Sequence, residues 1–326
     1  MKTQKLTYFN NKLNFRILFL PLTWIYLIIA YIKKLLTHSY KSKAYVICVG
    51  NIMVGGVGKT PLVIKIVEHF LNNGIKVGIL SRGYKGKLSS SKPILINTKK
   101  HSANDVGDEA FMIASKFNGK VPVCICKNRA NSAKVLENQV DVLIMDDGLQ
   151  NYTLKKDKVI LVFDGQEGIG NGFLLPLGRL RESLKSGLKK SDIIIFMRKD
   201  NKNLKNKIKK YRKNIFIGKI ETKKITNLKN KKIIAFAGIG KPDKFYKSLE
   251  KEGAKIIKKF NFPDHYQYTK NDLLNLIKKS NNLPIFTTMK DFVKIPAELK
   301  SEFNILDIDI NISNQDKFYN LLKNPS

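Results

Sequence analysis

The chain has 326 residues, 43% hydrophobic and 10% aromatic, enough for two domains with real cores and too apolar for wholesale disorder. Its 60 Lys and Arg against 26 Asp and Glu leave a formal charge of +34, which favours anionic partners: nucleic acid, an anionic bilayer or a phosphorylated substrate. The three cysteines, Cys48 in YVICV and Cys124 and Cys126 in VPVCICK, exclude a disulfide framework and read as buried free thiols.

The chain opens on a greasy run, ILFLPLTWIYLIIAYI at 17–32, with Lys12 and Arg16 before it and Lys33 and Lys34 after. It is short for a spanning helix, Pro21 interrupts it, and no convincing cleavage site follows. An interfacial helix fits better, with Trp24, Tyr26 and Tyr31 at headgroup level and lysines on anionic lipid. Residues 1–40 are therefore expected to form a membrane-associating segment.

From Tyr45 the pattern alternates strand and helix. AYVICVG is a strand, and PLVIKIVEHFLNN is a helix with Pro61 in its first turn and Gly74 just past its end. KVGILS, VPVCIC, VDVLIM, KVILVF and DIIIFM follow as short, continuously apolar strands, the kind buried on both faces of a parallel sheet. Helices GDEAFMIASKF and NRANSAKVLEN lie between them. Lys199–Lys210 reads as a solvated basic run, and NIFIGKIE as a further strand. A second set then begins: IIAFA, a helix from about Pro242, AKIIKKFNF, a helix opened by the capping box of Thr269 and Asp272, and PIFTT. The expected fold is α/β, a P-loop, doubly wound, mostly parallel sheet over 41–225 with a second, smaller α/β domain over 226–326 and a membrane-interacting N-terminal helix.

The stretch VGNIMVGGVGKTP, residues 49–61, sits between a strand and a helix, where a phosphate-binding loop belongs. The motif wants glycine at position 53 and this chain has Met53, but Gly55, Gly56 and Gly58 still allow backbone amides to converge on phosphate at a helix N-terminus. Lys59 would neutralise the β- and γ-phosphates, and Thr60 would hold Mg²⁺. VDVLIMDDGLQ ends a strand on Asp146 and Asp147, where ligands gather in open α/β sheets, and one of the two should support that metal. Asp108 and Glu109 open a helix, and His265 falls in a strand-to-helix loop suited to acid–base work. Arginine occurs only seven times, and Arg82, Arg179 and Arg181 all lie in these glycine- and carboxylate-rich stretches, which points towards oxyanion recognition.

VGNIMVGGVGKTP, SRGY, GDEA, DDGLQ, GNGFLLPLGRLRE, AGIGKP, FPDHY and TMKDFVK, in this order from about residue 15 to 295, resemble the tetraacyldisaccharide 4'-kinase family of lipid A biosynthesis. The resemblance implies an ATP- and Mg²⁺-dependent kinase, peripheral on the cytoplasmic face of the bacterial inner membrane. It would phosphorylate the 4'-hydroxyl of a tetraacylated glucosamine disaccharide 1-phosphate. Carried over by motif, Gly55, Gly56, Val57, Gly58, Lys59, Thr60 and Pro61 hold the nucleotide. Asp108 receives the hydroxyl proton while His265 orients and tunes it. Lys59 and Arg181 serve catalysis. Thr60, Asp146, Asp147 and Glu182 serve the metal and phosphate site, and Tyr84, Glu109 and Gln150 border the pocket.

Two other readings stand beside this one. A membrane-associated switch ATPase of the partitioning type uses similar GGVGKT loops, but gives no reason for His265 in a second domain. A specific nucleic-acid binder would want an aromatic–basic platform of the RNP1 type, which is absent. Nothing in the sequence specifies a protein partner.

Overall fold

The computed structural model describes residues 20–211, 213–223 and 228–323. Residues 17–19 of the apolar run and the expected seam near residue 225 lie outside these. Helix α1 spans Leu20–Leu36. The first α/β unit then runs β1 (Tyr45–Gly50), α2 (Lys59–Asn72), β2 (Val77–Ser81), β3 (Ile94–Leu95), α3 (Ala103–Val106), α4 (Asp108–Phe117), β4 (Val123–Ile125), α5 (Arg129–Leu136), β5 (Val142–Asp146), β6 (Lys158–Asp164), α6 (Leu184–Lys190), β7 (Ile193–Met197), α7 (Leu204–Ile208) and β8 (Asn214–Thr222). The second unit has β9 (Lys232–Ala237), α8 (Pro242–Lys251), β10 (Lys255–Asn261), α9 (Lys270–Ser280), β11 (Ile285–Thr288), α10 (Met289–Phe292) and β12 (Phe303–Leu306).

Nine strands form the first sheet in the order β13-β8-β7-β6-β1-β5-β2-β4-β3, where β13 is Ile308–Ile312. Pairing is parallel except at the two edges, β13 on β8 and β3 on β4. The continuous apolar strands are read correctly as central ones, because residues of alternate parity feed cores on opposite faces. Ile47, Val49 and Ile144 join the side covered by α2 and α4. Val46, Cys48, Leu143 and Met145 join the side that α5 and α6 cover. Each such side chain contributes about 1.5–3 kcal/mol when taken from water. Strand order turns around β1, and the register pairs Val49 with Asp146, so the loop after β1 and the acids after β5 emerge side by side.

Four parallel strands, β10-β9-β11-β12, form the second sheet. Its two faces are covered by Phe245, Tyr246 and Leu249 of α8 and by Leu273 and Leu276 of α9. The Thr269–Asp272 capping box opens α9 as its sequence implies. Two readings need correction. The second unit does not keep the chain to its end. After β12 the backbone returns as β13 to the first sheet, and Ile310, Ile312, Phe318, Tyr319 and Leu322 are buried in the first core. Lys199–Lys210 is not wholly solvated either, since Leu204 and Ile208 anchor α7 in the opposite core.

Helix α1 lies apart from both cores. Trp24, Ile28, Tyr31 and Leu35 form one exposed stripe, and Leu22, Ile25, Ile29, Ile32 and Leu36 a second beside it. Among the described residues no helix is long and apolar enough to cross a membrane.

Candidate active site

The loop after β1 ends on Gly58, whose φ of 90° places it in the left-handed region. It caps α2 without a side-chain hydrogen bond, so the helix's first amides remain for an anion. Gly55 and Gly56 are exposed, Val57 is buried, and Thr60 and Pro61 follow Lys59 in the first helical turn. Met53 replaces the expected glycine for a packing reason: it is 2% exposed and makes an antiparallel bridge to Leu180. The Val54 amide donates to the Arg179 carbonyl at 2.8 Å, and the Arg179 guanidinium donates back to the Val54 carbonyl at 2.7 Å. The phosphate loop is thus stapled to residues 173–181, where a glycine at 53 would leave it looser.

Lys59 reaches across the loop to Asn51 Oδ1 at 3.2 Å and Asp147 Oδ1 at 3.3 Å. Asp147, at φ 50°, also receives Arg181 Nη1 at 2.9 and 3.2 Å. Burial works against its charge, but Lys59 and Arg181 outweigh that and hold its carboxyl below the usual range. Asp146 differs. It is buried, its Oδ1 has no hydrogen-bond partner, and burial first, then the Glu109 carboxylate, push its pKa up to about 7. An unpartnered buried carboxylate oxygen at the strand end, with a threonine hydroxyl at the start of the adjoining helix, is a hard-oxygen donor set that fits Mg²⁺. Among the described residues no group of three or more His, Cys, Asp or Glu could hold a metal, so substrate phosphate and water would complete the shell.

Gln150 donates to the Asn51 carbonyl and to Glu182 Oε1, both at 2.9 Å, and receives Arg181 at 3.4 Å. Glu182 is less available than its motif suggests. Its other oxygen pairs with Lys190 at 2.6 Å and accepts from Ser186 at 2.8 Å. These contacts fix the Glu182 carboxylate beside Gln150, with Oε1 accepting a single bond.

The second centre lies between the two α/β units. Asp108 opens α4 with a side chain 3% exposed, and His265 Nδ1 lies 3.0 Å from its Oδ2. Gly107, at φ 90°, precedes it, and a Cβ there would meet the Tyr84 carbonyl at 2.6 Å, so glycine lets the SRGY loop press against the start of α4. His265 has φ 65°, an unusual conformation for a residue other than glycine, and its amide bonds the Gly238 carbonyl at 3.2 Å. Burial opposes ionisation of Asp108, but the hydrogen bond from His265 and the Lys294 charge hold its carboxyl below the usual value. Tyr84, 60% exposed, stands edge-on to the His265 ring with centroids 5.9 Å apart. Glu109 is also solvent-facing. Its carboxylate is within electrostatic reach of Asp146, which links the Asp108 centre to the phosphate centre.

Several residues lie at the site with no role assigned from the sequence, some of them inside the quoted motifs. Lys290 and Lys294 of TMKDFVK approach His265 and Asp108 at 3.3 and 3.8 Å. Asp164, 1% exposed at the end of β6, pairs with Arg198 at 2.6 Å and with Lys244 of the second unit at 3.1 Å. Glu167 pairs with Arg179 at 2.7 Å and with Lys241 of AGIGKP. Only the Arg179 and Arg198 members carry a signal, because arginine is rare here; the lysines are lost among their own kind.

A phosphate loop with its lysine, a strand-end acid pair and a carboxylate–histidine pair across the cleft define a P-loop phosphotransferase built on a mixed, mainly parallel α/β fold. A family profile described as Tetraacyldisaccharide-1-P 4'-kinase matches residues 15–325. Tetraacyldisaccharide 4'-kinase from Actinobacillus pleuropneumoniae is 40% identical over 267 residues, covering 80% of this chain and 79% of that protein. The protein of the same name from Francisella philomiragia is 38% identical over 304 residues, 88% and 92% of the two chains. The crystal structure described as the "apo" form of LpxK from Aquifex aeolicus in complex with ATP aligns with a TM-score of 0.75 at 26% identity, over 94% of this chain and 98% of that one. The chain belongs to the tetraacyldisaccharide-1-P 4'-kinase family.

Proposed function

We propose that the chain transfers the γ-phosphoryl group of ATP to the 4'-hydroxyl of a tetraacylated glucosamine disaccharide 1-phosphate, working from the cytoplasmic face of the inner membrane. The observation that carries this is the Asp108–His265 pair at 3.0 Å beside the Lys59–Asp147–Arg181 cluster. The first suits an alcohol acceptor and the second a nucleotide's phosphates. A switch ATPase that hydrolyses to water has no use for a histidine-tuned carboxylate brought in by a second domain.

In this reading the amides of 55–60 and Lys59 hold the phosphates. Thr60 and the 146–147 acids would hold Mg²⁺, which when bound neutralises charge on the phosphoryl oxygens. Asp108 takes the hydroxyl proton as the sugar oxygen bonds to phosphorus, the bond to the bridging oxygen breaks, and ADP leaves with its electron pair. Such a base contributes about 10²–10⁴-fold. Arg181 adds positive charge near the transferring group. Tyr84 offers an exposed ring to a sugar.

The substrate's acyl chains and α1 suit one another. The helix exposes Trp24, Ile25, Ile28, Ile29, Tyr31 and Ile32 and carries Lys33 and Lys34 in its last turn. These features support an interfacial seat on an anionic leaflet, with about 1 kcal/mol from each lysine near the surface. The Tyr26 hydroxyl donates to the Arg181 carbonyl at 2.7 Å, so the helix stands beside the phosphate site. Incubation with γ-labelled ATP and the tetraacyl disaccharide 1-phosphate in detergent, followed by ³¹P NMR of the lipid, tests the assignment. A second phosphomonoester at the 4' position is expected; label released only as inorganic phosphate would return the switch ATPase to the front.

A further inference from the structure

We infer that Lys290 fixes the tautomer of His265, and with it the direction of the hydrogen bond between His265 and Asp108. The lysine comes from α10, in the TMKDFVK segment. Its Nζ lies 3.3 Å from His265 Nε2. It is also 3.4 Å from Asp264 Oδ1 and 3.9 Å from Glu109 Oε1. The side chain is 18% exposed, so two carboxylates and the ring hold the ammonium in one place.

An ammonium group donates and never accepts, so contact with Nε2 is attractive only if that nitrogen presents its lone pair. The ring proton of neutral His265 then sits on Nδ1, and Nδ1–H donates to Asp108 Oδ2 at 3.0 Å. The opposite tautomer fails twice: Nε2–H would face a cation, and the Nδ1 lone pair would face a carboxylate. Of the remaining charged neighbours, the Asp264 carboxylate opposes this choice, but its Oδ2 is 3.9 Å from Nε2, beyond hydrogen-bond reach, while Lys290 Nζ is nearer at 3.3 Å. Lys294 is 3.8 Å from Asp108, and Tyr84 presents only its ring. The left-handed backbone at His265 places the imidazole between these groups independently of Lys290.

One mechanistic consequence follows. With Nδ1 already protonated and Nε2 occupied, His265 orients Asp108 but does not relay a proton through its ring. Asp108 Oδ1 is left to the acceptor hydroxyl and keeps the proton until the lipid product departs. Lys290 is a positioning residue, acting on the substrate only through His265 and Asp108. This catalytic part rests on the kinase reading; the tautomer does not.

The test uses full-length protein in detergent with ¹⁵N-labelled histidine. Only His38, His69, His101 and His265 contribute, and His265→Gln assigns the fourth ring. In the wild type, at neutral pH, His265 is expected to carry its proton on Nδ1 with Nε2 bare. In Lys290→Met the ring is expected to populate the Nε2–H form, with kcat for lipid phosphorylation falling about tenfold or more and KM for ATP unchanged, as for other tautomer errors beside a catalytic group. Lys290→Arg keeps the donor and should restore both the tautomer and most of the rate. A wild-type proton on Nε2, or an unchanged tautomer in a folded Lys290→Met, overturns the inference, and an unchanged kcat removes the positioning role. If the spectra are as expected but wild-type protein labels no lipid, the tautomer stands and the kinase reading fails.

Discussion

Asp108 concentrates the chemistry at the scale of single residues. Its carboxyl sits below the usual pKa against the effect of its own burial, because His265 and Lys294 outweigh desolvation. The sign follows directly. The pair stabilises the fold fully above the unfolded-state pKa, and this contribution is lost as pH falls through the lower folded value. Removing the imidazole in His265→Ala leaves burial with less opposition, so the Asp108 pKa rises. The acid limb of kcat/KM is therefore expected to move to higher pH in His265→Ala, measured from about pH 5 to 9; an unmoved limb would detach His265 from the base. At the phosphate centre, Arg181→Lys should lower kcat/KM by about tenfold or more, since Arg181 meets Asp147 and Gln150 through Nη1 alone and a lysine making those contacts has no further planar donors for a phosphoryl oxygen. The positions of Lys59 and Thr60 were legible because the phosphate-loop motif has a fixed spacing, and that of the 146–147 acids because they end a central apolar strand. The TMKDFVK motif marked the segment of Lys290 and Lys294, but in a chain with 60 Lys and Arg nothing local showed which groups these two would face. The partners of Glu182 were hidden too: its pairing with Lys190 is a short-range contact across an i+8 offset, for which no motif exists.

Elements explain how an imperfect phosphate loop works. Met53 gives up glycine's freedom but gains burial and a bridge to Leu180, while Arg179 and Val54 close the loop from both ends. Met53→Ala should cost about 2–5 kcal/mol in urea unfolding and weaken ATP binding; a loss of nucleotide affinity without a loss of stability would contradict the packing account. Helix α1 makes the complementary case, an element whose apolar surface has little to pack on. Replacing Ile25, Ile29 and Ile32 together by Asp should abolish sedimentation with anionic vesicles while sparing the circular dichroism of the α/β units, and retained vesicle binding would remove α1 as the anchor. The sequence pattern was sufficient for every central strand, since continuous apolar runs have few other homes. It failed for α7, where Leu204 and Ile208 are a helical pair of anchors inside a stretch dominated by lysine.

The whole molecule is tied at two levels. Covalently, the chain leaves the first sheet after β8 and returns from β12 through Asp307 to β13. The two passages lie together, with the Lys223 amide on the Asp307 carbonyl at 3.0 Å and Lys223 and Lys116 on its carboxylate at 3.0 and 3.2 Å. Burial opposes the Asp307 charge, and the two lysines overcome it. Across the cleft, Asp164–Lys244, Glu167–Lys241 and Asp108–His265 connect the units. The return of β13 was not legible because IDINI alternates like any half-exposed edge strand, and its partner is chosen by tertiary position rather than by local sequence. Because Ile310 is 1% exposed in the first core, Ile310→Ala should destabilise the nucleotide-binding unit by about 2–5 kcal/mol despite its position near the C-terminus, read as a loss of ATP protection in thermal melts.

The proposed transfer needs the nucleotide centre around Lys59 and the Asp108–His265 pair to act on one substrate. The most direct measurement is transfer of labelled γ-phosphate to tetraacyl disaccharide 1-phosphate by wild type and by Asp108→Ala, with ATP binding measured alongside. Wild type should label the lipid, and the variant should bind ATP normally while losing about 10²–10⁴-fold in transfer. Full transfer by a folded Asp108→Ala protein would contradict the account.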